Sequence, residues 1–161
     1  MSKDGVVRIE TSVSFVANID ETKSPKPAWP DHLPVRRVRI ARPTARFDEV
    51  VSFYLEVLGL PRLGGFEGHD GYDGVFVGLP SWEYHLEFTR HVGGSPCPAP
   101  TRDNLLVLYL DSSAAVEAMV RRVTARRYAP VAAENPYWEK TGAVTIEDPD
   151  GWRIVFTVVP T

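Results

Sequence analysis

The chain writes one pattern twice, and that repetition limits what it can fold into more than any other feature. The first copy opens with Val38-Arg39-Ile40-Ala41, passes through an amphipathic helix and ends in Tyr84-His85-Leu86-Glu87-Phe88. The second opens with Leu105-Leu106-Val107-Leu108-Tyr109-Leu110, passes through another helix and closes with two apolar runs around Asp148-Pro149-Asp150-Gly151. Pro followed by Gly in an acidic tetrad is tight-turn chemistry, so Val144 to Phe156 reads as a β-hairpin. Equivalent points lie roughly 65 to 70 residues apart, the size of a repeated supersecondary unit.

With 161 residues and 43% apolar content, the chain can bury one good core or two small fused ones. A formal charge of -3 and a pI near 5.8 leave no basic footprint, which argues against nucleic acid as a partner. Cys97 is the single cysteine, with no partner for an internal disulfide or a zinc pair, and so fits a reducing compartment. No apolar stretch approaches the ~20 residues of a membrane span, and the N-terminus lacks the pattern of a secretory signal. The expectation is a soluble, cytoplasmic protein with no membrane partner.

Prolines divide the chain. Residues 1–34 hold one alternating run and then Lys23 to Pro34, too rich in proline for a helix or an interior strand; they read as an N-terminal arm. Residues 35–92 form the first module, the Pro/Gly-rich residues 93–103 a linker, and residues 104–161 the second module.

In module 1, Thr44 is placed to cap a helix whose apolar stripe is Phe47, Val50, Val51, Tyr54, Leu55 and Leu58, with Gly59 as its stop. In module 2, Ser112 or Ser113 caps a helix with the stripe Val116, Met119, Val120 and Val123, and Glu117 can pair with Arg121 on its wet side. Each helix has one apolar face and should lie on a sheet. In the strand Tyr84 to Phe88 the even residues are large and apolar, while His85 and Glu87 share the odd face. Odd faces of several strands would then line a concavity holding Arg37, Arg39, His85, Glu87, Arg153 and Val155.

The helix end Phe53-Tyr54-Leu55-Glu56-Val57-Leu58-Gly59-Leu60, together with the closing Glu147-Asp148-Pro149-Asp150-Gly151, resembles the vicinal oxygen chelate superfamily of glyoxalase I, extradiol dioxygenases and bleomycin-resistance proteins. The resemblance covers roughly residues 35 to 159. It implies an α+β fold of two βαβββ modules forming a half-open curved mixed sheet, helices on the outer face, and a homodimer. Metal-dependent members place one ligand on the first and last strands of each module. Carried across, those positions fall at Arg37, Glu87, Leu105 or Asn104, and Val155, so only Glu87 keeps a competent donor.

The expected site is therefore a pocket that takes a small molecule and carries no cofactor. Glu87 would be paired with Arg37, with Arg39, Arg153 and His85 as other nearby partners, to hold a polar or anionic ligand. Two loops would rim the pocket. Glu67 to Gly74 offers His69, Asp70, Tyr72 and Asp73, and Glu134 to Lys140 offers Tyr137 and Trp138. Three chemistries stay open: metal-free binding or sequestration; a lyase or dioxygenase using iron, nickel, manganese or zinc on Glu87, His85 and His69; and metal-free acid/base catalysis by Glu87 or His85.

Overall fold

The computed structural model describes residues 38–79 and 84–159. The N-terminal arm, Arg37 and Trp82 lie outside the described residues. Module 1 runs β1 (Val38–Pro43), α1 (Phe47–Ser52), β2 (Arg62–His69), β3 (Tyr72–Val77) and β4 (Tyr84–His91). Module 2 runs β5 (Leu105–Leu110), α2 (Ser113–Ala125), α3 (Pro136–Lys140), β6 (Val144–Glu147) and β7 (Arg153–Val158).

The two sheets have the orders β1-β4-β3-β2 and β5-β7-β6. In each, the opening strand pairs parallel with the closing strand and the remaining pairs are antiparallel. This is the repeated, mixed-sheet α+β architecture that the sequence implies. Its second copy is thinner than expected, with three strands among the described residues instead of four. Between α2 and β6 the chain makes one isolated bridge, Val131 to Thr145, and then the short helix α3. Pro130 and Pro136 remove backbone donors on either side of that bridge. Asn135, whose side chain accepts from the Tyr137 N–H, then starts a helix with Pro136 in its first turn.

Period-two alternation sorts the side chains as anticipated. Val75, Val77 and Phe88 of the first sheet and Ile146, Ile154 and Phe156 of the second face the helices and are buried with Phe47, Val50, Phe53, Val116 and Val123 in a single core. Both modules thus share one interior. After Ser52, helix α1 widens into a π-helical turn, Phe53–Val57, closed by the Leu58 N–H on the Phe53 carbonyl at 2.9 Å. Phe53, Tyr54 and Val57 all point inward, and Phe53 meets Tyr128 of module 2 edge-on at 4.6 Å. Gly59 ends the helix at φ +83°, and a side chain there would strike the Arg122 guanidinium, which donates to the Glu56 carbonyl at 3.0 Å.

Two capping expectations resolve differently. Ser112 caps α2 by accepting from the Ala115 N–H. Thr44, by contrast, is not the cap of α1: its hydroxyl accepts from the Arg46 N–H before the helix begins at Phe47. The hydroxyl is used in the turn that leads into the helix.

One buried ion pair locks the modules together. Arg42, on β1, reaches Asp148 of the module 2 hairpin with Nη2 to Oδ2 at 2.7 Å, and both residues are more than nine-tenths buried. The Tyr54 hydroxyl lies 3.2 Å from the same Oδ2, while Oδ1 accepts the backbone N–H groups of Asp150 and Trp152 at 2.9 Å each. Burial, with the Asp148 charge beside it, holds the Tyr54 phenol far above its ordinary range, so it remains a donor. Asp148→Ala leaves Arg42 buried without its nearest counter-charge and is expected to cost about 3–5 kcal/mol, read as a lower midpoint in urea unfolding.

Candidate functional site

On the face of the first sheet that points away from the helices, three of the expected residues meet. Arg39 on β1 lies opposite His85 on β4 in parallel register, and Glu87 follows two residues along the same face. The Arg39 guanidinium sits between them. Its Nε donates to His85 Nε2 at 3.2 Å, and its Nη1 lies 3.1 Å from Glu87 Oε2. His85 and Glu87 are buried, whereas the Arg39 side chain is 46% exposed. Phe76, opposite Glu87 on β3, supplies the floor: its ring lies 4.6 Å beneath the guanidinium carbon and 5.3 Å from His85. The result is a cation held between an imidazole lone pair and a carboxylate, with its outer N–H groups turned to solvent.

Glu87 is thus paired with Arg39, one of its expected partners; Arg37 lies outside the described residues. Arg153 does not join this cluster. It is buried in module 2, where Nε and Nη2 bond Glu147 at 3.2 Å and Nη1 bonds the Ala132 carbonyl at 3.1 Å. Those bonds hold the loop before α3 against β7.

The two expected rim loops also separate from the cluster. His69 and Tyr72 sit at the tip of the β2–β3 hairpin, and Tyr72 pairs with His91, six residues along β4 from His85 and so roughly 20 Å away. His69 is largely exposed, near Asp70 at 3.7 Å, so the metal set Glu87, His85 and His69 is not assembled. Asp73 accepts from the Gly68 N–H and from Arg90 Nε, each at 2.9 Å, and those contacts hold its carboxyl below the usual carboxylate range. The hairpin is built for structure. Tyr137 and Trp138 lie on α3, not in an irregular loop; their rings touch edge-on at 5.2 Å and Tyr137 is exposed.

The donor set does not fit the superfamily's metal. Val155 is a fully buried hydrocarbon, Leu105 faces Arg153 across the strand pair, and the facing groups of His85 and Glu87 are engaged by Arg39. A guanidinium occupies the space between the two residues that could have shared an ion.

Two residues escaped the sequence reading. Phe76 has no motif around it. Arg42 did leave a signal, since it breaks the apolar even series Val38, Ile40 on a strand whose even face meets the interior.

Two modules, each with parallel opening and closing strands and a free sheet face, define the glyoxalase/bleomycin-resistance/dioxygenase class, the vicinal oxygen chelate superfamily. Within that class the chain belongs to the YycE-like family: the family's N-terminal domain matches residues 38–89 and its C-terminal domain residues 103–157. The uncharacterized protein YycE of Bacillus subtilis (strain 168) is 52% identical over 120 residues, 74% of this chain and 86% of that protein. A crystal structure of a B. subtilis YycE protein of unknown function superposes with a TM-score of 0.75 at 47% identity, over 81% of this chain and 95% of that one. More distant solved structures share the fold. They include the Leishmania major glyoxalase I (TM-score 0.60, 20% identity, 76% of this chain and 86% of that one) and TnmS3, an antibiotic-binding protein of Streptomyces sp. CB03234 (0.58, 21%, 80% and 100%).

Removing Arg39 strands a buried carboxylate, whereas removing both charges does not. Arg39→Met is expected to destabilise the protein more than the Arg39→Met/Glu87→Gln double variant, with a coupling energy of about 1–3 kcal/mol in a double-mutant cycle of urea unfolding.

Proposed function

We propose that this protein binds a polar or anionic small molecule on the free face of its first sheet, and does so without the divalent metal common in its superfamily. The observation that carries this reading is Arg39 lodged between His85 and Glu87 over the Phe76 ring. His85 and Glu87 fix the guanidinium in place, so little side-chain entropy is lost when it takes a ligand. Its remaining N–H groups suit an oxygen anion or a polarised carbonyl, and Phe76 gives the ligand an apolar surface to lie on.

Support comes also from the company the fold keeps. TnmS3 is an antibiotic-binding protein, and the B. subtilis YycE structure is described as a candidate glyoxalase/fosfomycin resistance protein. Binding and sequestration, as in bleomycin resistance, is the activity we infer. Pairing into a homodimer belongs to the same proposal, because a second copy would enclose an otherwise open face; sedimentation equilibrium measures it.

The first test is metal content. Protein purified without chelator should carry substoichiometric iron, nickel, manganese and zinc. Adding each ion should leave the melting temperature unchanged, whereas a specific site filled at a hundred times its Kd would add about 2.7 kcal/mol. Stoichiometric metal would overturn the reading in favour of a lyase or dioxygenase. The second test is a calorimetric titration with fosfomycin as an anionic probe. Arg39→Met should weaken binding about tenfold or more, the worth of one charge-assisted hydrogen bond.

A further inference from the structure

The structure assigns a second ligand site to the cavity between the two modules, one that takes an uncharged apolar molecule bearing a carbonyl-type acceptor. The cavity has a volume of about 230 Å³ and lies between the edge strands β1 and β5. Ile40, Phe88, Leu105, Leu106 and Trp152 line it, together with Arg42 and Cys97. Ile40 is 56% exposed and marks where it opens. Arg39, His85 and Glu87 are not among its described lining residues, so this site stands apart from the one proposed above.

The polar wall decides what the cavity accepts. Arg42 is 8% exposed and spends Nη2 on Asp148, but its Nε and Nη1 are buried without any acceptor. The guanidinium lies over Trp152 at 4.9 Å and Phe88 at 5.0 Å; these ring faces balance its charge, yet accept N–H groups only weakly. A buried donor left unpaired is costly, so a ligand oxygen placed there restores a hydrogen bond to a charged group. An anion is disfavoured. Asp148 at 2.7 Å and Asp150 at 3.9 Å already surround the Arg42 charge with two carboxylates, and on the far wall the Arg153 charge is matched by Glu147 at 3.2 Å. What the site lacks is an acceptor, not a negative charge, and the rest of its surface is hydrocarbon.

Cys97 makes the site measurable, because it lines the cavity, is partly accessible and is the chain's single thiol. The experiment follows the rate of Cys97 alkylation by iodoacetamide in the full-length protein, by mass spectrometry. Three probes are compared: 4-phenyl-2-butanone, propylbenzene, which lacks the acceptor, and 3-phenylpropanoate, which adds a charge. The ketone should slow alkylation at a concentration about tenfold below that needed for either of the others, the discrimination expected of one hydrogen bond to a charged donor. In Leu105→Trp, which fills the cavity while leaving the Arg42–Asp148 pair intact, the ketone should no longer protect and the melting temperature should be retained. Equal protection by the hydrocarbon, stronger protection by the carboxylate, no protection by the ketone, or protection that survives in Leu105→Trp each overturns the assignment.

Discussion

The fold turns on one carboxylate. Asp148 receives Arg42 and Tyr54 from module 1 while accepting two backbone N–H groups of its own turn, so a single side chain shapes the closing hairpin and joins it to the other half of the molecule. A charge this deeply buried is tolerable only when its partners are fixed. Here three rings and a helix fix them. Arg46 strengthens the same junction from the surface by reaching the Pro149 carbonyl and Glu49.

That junction determines what the sheets can offer. With the helix sides of both sheets committed to a shared core, β1 is held so that its even residues look inward and its odd residues look out. Arg39 therefore faces away from the interior while Arg42, three positions on, is sealed inside it. Two arginines on one strand acquire opposite duties from the period-two geometry of a strand. One pins the modules; the other holds a buried imidazole and carboxylate and keeps its outer edge in water.

Much of this was legible in the sequence because alternation and turn chemistry are local. The helix stripes, the hairpin at Asp148 to Gly151 and the shared face of His85 and Glu87 depend on spacing alone. Long-range pairing is a different matter. Nothing near Arg39 or Arg37 in the chain says which of them meets Glu87, since that follows from the parallel register of β1 on β4, which places Arg39 opposite His85. Arg153 shows the same limit: its alternation put it on the correct face, but its partner Glu147 lies in the neighbouring strand of its own module. The missing strand of module 2 was obscured by assuming that the second copy repeats the first. Pro130, Asn135 and Pro136 carry the local information that it does not.

The linker between the modules is fastened at both ends. Near its start, the Ser95 hydroxyl accepts the His91 N–H at 2.8 Å; further on, Trp152 Nε1 donates to the Cys97 carbonyl at 3.2 Å, and that same indole covers Arg42. A chain so tied cannot open like a hinge while each half stays folded. Exchange of a module between two copies would require the linker, the indole and the buried ion pair to let go together, which amounts to exposing the common core. Whichever arrangement the halves adopt as the chain first folds should therefore persist, its lifetime set by global unfolding and not by collisions between finished molecules.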